Sequence, residues 1–237
     1  MTRKFTVNPK VWDRFPGMKL ILIAGSDLDN KRHRKSVDEL LDTAQSDTFE
    51  TLRWEDFDTF EPVTVWRDVQ PGKKFPAAHE ALAARVQKRS KLRAINPLVD
   101  VYNSLSISFI GRDIAAPIGA WCMSTMSGLR LEITEGGEPF TELGKSKPVS
   151  VEAGEVAYLD LDTSELVTRH FVWRQSKLGA VTPKTKAFLL ISELLPPYAS
   201  DAEAIRAEIV ETLEAHLSIK CTSTVLDQSD EGWEWSV

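Results

Sequence analysis

Residues 96–111, NPLVDVYNSLSISFIG, followed by residues 129–134, LRLEIT, decide how this chain is read. The first segment opens with Asn before Pro. Asn is a good helix N-cap, and Pro at the first helical position gives up a donor that would have no partner anyway. Leu98, Val101, Tyr102, Leu105 and Phe109 then recur at helical spacing, so a helix starts at Asn96 and stops at Gly111. Asp100, Asn103 and Ile107 share a second face, which puts Asp100 and Asn103 one turn apart and pointing the same way. In the second segment the period changes to two. Leu129, Leu131 and Ile133 alternate with Arg130, Glu132 and Thr134, the pattern of a strand with one buried face.

Working outward, residues 19–24 read as a buried strand closed by Gly25-Ser26-Asp27. A helix follows over residues 35–44, a short one over 62–68, a turn at Pro71-Gly72, and a helix over 76–87. After Leu129–Ile133, Gly136-Gly137 makes a turn. Residues 155–160 and 166–173 read as strands. Residues 188–195 form a continuous apolar run ended by Pro196-Pro197, hence a central strand. Ser200 with Glu203 predicts a capping box opening a helix that carries Ile205, Ile209, Leu213 and Leu217. The acidic tail from Asp227, with Trp233 and Trp235, is either a docked or frayed terminus or a protein contact. Helices gathered with antiparallel-looking strands indicate an α+β fold, with mixed, largely antiparallel sheets flanked by helices. No internal repeat or domain boundary is visible, so residues 1–237 are read as one domain, with its core at 95–197 and a C-terminal helix and tail at 198–237.

The 237 residues are 42% hydrophobic and 27% charged, ordinary for a globular protein able to bury a core. The net charge of −6 is uneven: +3 over residues 1–100 and −9 beyond. An acidic total argues against tight, non-specific nucleic-acid binding, and no DNA partner is expected. Two basic clusters, residues 31–35 (KRHRK) and 85–93 (RVQKRSKLR), are either solvated helix faces or local phosphate contacts. The longest early apolar run, residues 18–24, is too short to span a membrane, so a cytoplasmic location is expected. Cys122 and Cys221 are far apart, and His33, His79, His170 and His216 are isolated. No disulfide, metal or cofactor is expected. There is no Gly-x-Ser-x-Gly elbow and no Walker loop. Cys122 reads as a small hydrophobe rather than a nucleophile.

The densest polar-aromatic segment is residues 168–177, TRHFVWRQSK. As a strand it places Arg169, Phe171 and Trp173 on one side and Thr168, His170 and Val172 on the other. Its cationic, aromatic end with amide and hydroxyl groups could hold a nucleotide and an amino acid together; it is equally well an ordinary half-exposed strand.

The order of segments carries a resemblance. NPLVDVYN (96–103), APIGAW (116–121), LRLEITEGGEPFTEL (129–143), GEVAYL (154–159) and TPKTKAFLLISELLPP (182–197) follow one another as in the editing (B3/B4) domain of the phenylalanyl-tRNA synthetase beta subunit. The chain looks still more like free-standing relatives of that domain, in which TRHFVW (168–173) also fits. Class II synthetase motifs are missing, so it is not expected to charge tRNA. The resemblance implies an aminoacyl-tRNA partner and hydrolysis of a wrongly attached amino acid from the tRNA 3′ end. It implies a catalytic role for Asn103 and His170, with His170 orienting water or the ester. Ser104, Gly119, Trp121, Trp173 and Gln175 would bind substrate, and Arg174 or Lys177 would hold the terminal adenosine's phosphate. Asn103 and His170 also admit purely structural readings, as a local cap and a satisfied core residue. The alternative function is a tRNA- or amino-acid-binding module that no longer hydrolyses. Where the synthetase domain has a histidine this chain has Gly119, and where it has an aspartate this chain has Cys122. Its tyrosine-recognising glutamate aligns near Gln175 or Lys177. Tyrosine specificity is therefore not carried over.

Overall fold

The computed structural model describes residues 2–69, 74–88 and 91–236. The Pro71-Gly72 turn expectation, and Arg89 and Ser90 of the second basic cluster, lie outside them.

Two antiparallel-rich sheets stack against each other, and helices cover the outer face of one. The central strands are β2 (Lys19–Gly25) and β10 (Phe188–Leu194), paired antiparallel with Leu22 opposite Ile191. Both are largely apolar because both faces are covered, with Lys19 at the start of β2 and the buried Ser192 and Glu193 near the end of β10 as the exceptions. Leu20, Leu22, Leu189 and Ile191 face one core, while Ile21, Ile23, Leu190 and Leu194 face another. β11 (Cys221–Leu226) and β3 (Ile118–Cys122) flank them in the order β11-β2-β10-β3.

The second sheet has the order β12-β1-β4-β7, from β12 (Gly232–Ser236), β1 (Thr2–Val7), β4 (Gly128–Ile133) and β7 (Val156–Asp160). Phe5, Leu129, Leu131 and Tyr158 turn inward from it to meet Leu20, Leu22 and Trp121 of the first sheet. β1 and β4 run parallel and the other neighbours antiparallel.

On the far side of the first sheet lie α5 (Pro97–Gly111) and α6 (Ala202–Leu217). The remaining helices are α1 (Pro9–Arg14), α2 (Lys35–Thr51), α3 (Glu61–Val69) and α4 (Ala78–Gln87). α2 and α4 pack on α5 through Leu41, Ala44, Val86 and Ile107. The α5 start is a small hydrogen-bonded network. Asn96 Oδ1 accepts from the Val99 N–H at 3.2 Å and from Asn30 Nδ2 at 2.8 Å, while Asn30 Oδ1 accepts from the Leu98 N–H at 2.9 Å. Asn30 Nδ2 also reaches the Thr182 carbonyl, so the helix end is pinned to two distant segments.

The α+β organisation is as the sequence implies, with three local corrections. The helix after Lys35 runs to Thr51 rather than stopping at residue 44. The capping box at Ser200 and Glu203 does not form. A 3-10 turn (Tyr198–Asp201) precedes α6, so Ser200 sits one residue too early, its hydroxyl donates to the Pro197 carbonyl, and Glu203 pairs with Arg206. The tail follows the first of its readings and is docked as edge strand β12, with Trp233 and Trp235 stacked at 4.8 Å between ring centroids. Residues 166–173 are not one strand. They form a hairpin of β8 (Thr168–Arg169) and β9 (Arg174–Gln175), with His170 and Phe171 both at positive φ, 45° and 61°. That turn cancels the two-residue alternation. It sends Phe171 into the core against Phe15 and Trp66, at 5.2 and 5.6 Å.

Among the described residues, no helix is long and apolar enough to cross a membrane.

Candidate binding cleft

A cleft of about 380 Å³ opens where α4, α5, β3 and the β8–β9 hairpin meet. Its walls include Val99, Tyr102 and Asn103 of α5, Gly119 and Trp121 of β3, and Phe171, Trp173, Arg174 and Gln175 of the hairpin. Arg85 of α4 lies at its edge, exposed to solvent.

Each wall has a local cause. The Asn96 cap sets where α5 begins, and Asp100 tightens that turn by accepting the Ile95 N–H at 2.8 Å. One turn on, Asn103 reaches the cleft, and its carboxamide has no hydrogen-bond partner among the described residues. The Tyr102 hydroxyl is likewise without one. Burial pushes that phenol's pKa up, and the nearby Asp100 charge adds to the effect, so it stays neutral and able to donate. On β3, period two turns Gly119 and Trp121 to the same side. The hairpin is fastened to this strand: Gln175 Nε2 donates to the Ala120 carbonyl at 2.8 Å. β3 is an edge strand, so that carbonyl would otherwise lack a partner. The bond leaves Gln175 Oε1 as an acceptor. Trp173 stands edge-on to Phe75, centroids 4.5 Å apart, with the Arg174 guanidinium over its ring at 4.6 Å.

The cleft thus brings together Asn103, Gly119, Trp121, Trp173, Arg174 and Gln175 from three separate segments. Ser104, His170 and Lys177 are not among its walls. Ser104 is fully buried and its hydroxyl donates to the Asp100 carbonyl at 2.7 Å, the next helical position having rotated away from the cleft. Lys177 is exposed beyond the hairpin, where its N–H donates to the Thr141 carbonyl. Arg174 lines the cleft but is ion-paired with Glu142.

His170 lines a different cavity, of about 370 Å³, on the other side of Phe171 and next to Arg14, Asp68 and Glu155. His170 and Phe171 both take positive φ there, and the His170 ring stays 5.5 Å from that of Trp173, with Phe75 against both. The imidazole lies tilted by 45° against Phe75, centroids 3.9 Å apart, with Nδ1 3.4 Å from Glu155, which also holds Arg169 through Nε at 2.7 Å. Burial lowers the His170 pKa, and Glu155 opposes that shift only in part.

Sequence reasoning missed Tyr102 and Arg85. Tyr102 looks like one more member of the α5 apolar stripe. Arg85 was visible only as part of a basic cluster, with nothing to single it out. Among the described residues, no group of His, Cys, Asp or Glu is arranged to hold a metal.

The family model described as B3/4 domain matches residues 61–228, from α3 to just past β11. The chain belongs to the B3/4 domain family. The matched span contains every wall of the cleft. A comparison with curated proteins gives no match. Among solved structures, this B3/4 chain is similar to an N-terminal fragment of the phenylalanyl-tRNA synthetase beta subunit from Pyrococcus horikoshii, at 10% identity and a TM-score of 0.46. The similarity covers 92% of this chain and 49% of that one, so the B3/4 chain spans about half the fragment's length.

Proposed function

We propose that this B3/4 protein hydrolyses the ester of a mischarged aminoacyl-tRNA in trans, with the cleft holding the aminoacylated terminal adenosine. The observation that carries the reading is the convergence of Asn103, Gly119, Trp121, Trp173 and Gln175 on one cleft, in a chain of this family. An aminoacyl ester is already activated, so placing one water and supporting the developing oxyanion is chemistry enough. Asn103 Nδ2 and the Tyr102 hydroxyl are donors for the oxyanion. Gln175 Oε1 is left to accept from the amino acid's ammonium group. Trp173 offers a face to the adenine, and Arg85, with no ion-pair partner among the described residues, offers a cation to its phosphate. Arg85 replaces Arg174 and Lys177 in that role, because the one is bound to Glu142 and the other lies outside the cleft.

A second reading is a module that binds tRNA or an amino acid without hydrolysing it. One observation favours it: the described cleft walls contain no His, Cys, Asp or Glu to act as general base.

Incubation with a panel of mischarged tRNAs separates the two. The first reading expects faster ester loss than in buffer for at least one pair. No acceleration for any pair sinks it, and retained tRNA binding would then support the second.

A further inference from the structure

We propose that Gly119 sets the depth of the cleft, and that the cleft selects a large apolar side chain on the acyl group. The inference rests on the deacylase reading for the acyl group, but the steric relationship behind it stands on its own.

A Cβ built at Gly119 would meet only one neighbour closely. Its three nearest heavy atoms all belong to the six-membered ring of Trp121, with Cη2 at 3.1 Å, Cζ2 at 3.5 Å and Cζ3 at 3.7 Å. The two residues share a face of β3, and the indole leans back along the strand over the glycine. Trp121 cannot move aside freely. It is 3% exposed and its ring lies 5.0 Å from that of Tyr158. A Cβ at Gly179, near the indole's other end, would be 3.3 Å from Trp121 Cδ1, so that side is close-packed too. A methyl group at residue 119 therefore presses on an indole that must give by a few tenths of an ångström, and it takes up space where both residues line the cleft.

Around this floor the cleft is lined by Val99, Phe171, Val172 and Val181, while its charged groups are the guanidiniums of Arg85 and Arg174. A bulky hydrocarbon side chain finds apolar surface there, and a cationic side chain meets the like charge of Arg85, Arg174 being ion-paired with Glu142. One methylene too many or too few in such a pocket changes affinity roughly 10-fold or more.

The test uses hydrolysis-resistant adenosines bearing an aminoacyl amide at the 3′ position, titrated calorimetrically into the full chain. Phenylalanyl and leucyl analogues should bind at least ~10-fold more tightly than the alanyl analogue, with the lysyl analogue weakest. Gly119→Ala should weaken the phenylalanyl analogue about 10-fold and leave the alanyl analogue within about twofold. A Val181→Phe variant, filling the cleft from outside β3, should show the same size-selective loss and covers the case in which Gly119→Ala fails to fold. Equal weakening of all analogues overturns the depth role. Tightest binding by the alanyl or lysyl analogue, or no binding by any analogue, overturns the apolar selection. Size-selective binding without hydrolysis of any mischarged tRNA would leave this inference standing and sink the deacylase reading; hydrolysis blind to side-chain size would do the reverse.

Discussion

The Tyr158 hydroxyl donates a hydrogen bond to the Glu193 carboxylate, tying β7 of one sheet to β10 of the other across the core. Both side chains are fully buried, and the second carboxylate oxygen has no hydrogen-bond partner among the described residues. Tyr158 also backs Trp121, so this polar contact lies directly behind the cleft floor.

Burial pushes the Glu193 pKa from 4.5 up to about 7, against the opposing effect of the Tyr158 hydrogen bond. The folded state therefore binds more protons than the unfolded state between those values, and this residue's contribution to stability falls as pH rises from about 4.5 to about 7. The difference is on the order of 3 kcal/mol. His79 works in the opposite direction. It is fully buried beside the Pro62 carbonyl with its pKa lowered from 6.5 to about 4, so its contribution is lost as pH falls through that window. Urea melts from pH 4.5 to 8 should show the Glu193→Gln variant gaining on the parent protein as pH rises, because the His79 part cancels in the difference. A pH-independent difference would contradict the assignment.

Asn103 and Asn96 lie two turns apart on or beside α5 yet should respond oppositely to truncation. Asn103→Ala removes a carboxamide with no partner among the described residues, so stability should stay within about 0.5 kcal/mol while deacylation falls by about 100-fold. Asn96→Ala removes the cap and leaves Asn30 Nδ2 without one of its acceptors. It should cost roughly 1–2 kcal/mol or more of stability. Thermal melts beside single-turnover assays would decide it.

His170→Asn tests whether the imidazole takes part in the chemistry. Asn tolerates the positive φ of this position, so the turn is kept. Because His170 faces the cavity on the other side of Phe171, kcat/KM on a mischarged tRNA should change by less than about threefold, well short of the effect of losing a general base. A loss of 100-fold or more with unchanged folding would restore the catalytic role.

Arg85 and Arg174 should differ in the salt dependence of tRNA binding. Arg85→Gln removes the cation proposed to meet a phosphate and should lower the slope of log K against log salt by about 0.7–0.9. Arg174 is already neutralised by Glu142, so Arg174→Gln should leave the slope nearly unchanged. Filter-binding titrations from low to moderate salt would show equal slopes if neither contacts the backbone.

Much of the fold could be read from local pattern. The Asn96-Pro97 cap, the two-residue period of β4 and the apolar runs of β2 and β10 each depend on neighbours within a few residues. The strands that went unread are those whose own residues blur the pattern. In β1, Arg3 is buried on the inward face with Phe5 and Val7, its guanidinium donating to the Met126 carbonyl; a charge on the core side hides the period. β11 and β12 are edge strands with half-buried polar residues. The hairpin at residues 170–173 carried no glycine to announce its turn.

Site residues divided on the same line. Asn103, Gly119 and Gln175 were within reach of sequence because segment order and the family resemblance point to them. Ser104 and His170 lie outside the cleft walls, because a rotation of one helical position, or one pair of positive-φ residues, changes which cavity a side chain sees.

By itself the sequence determined the α+β class, the start of α5, the central strands and the kinship to the B3/4 family, since helix caps and hydrophobic periods are local and kinship lies in segment order. Tertiary structure alone decided that Trp121 lies over Gly119, that Glu142 occupies Arg174, and that Arg85 and Tyr102 join the cleft. Those relationships depend on the packing of segments tens of residues apart, including Tyr158 and Gly179, which hold the indole over its near neighbour Gly119, and no local pattern records them.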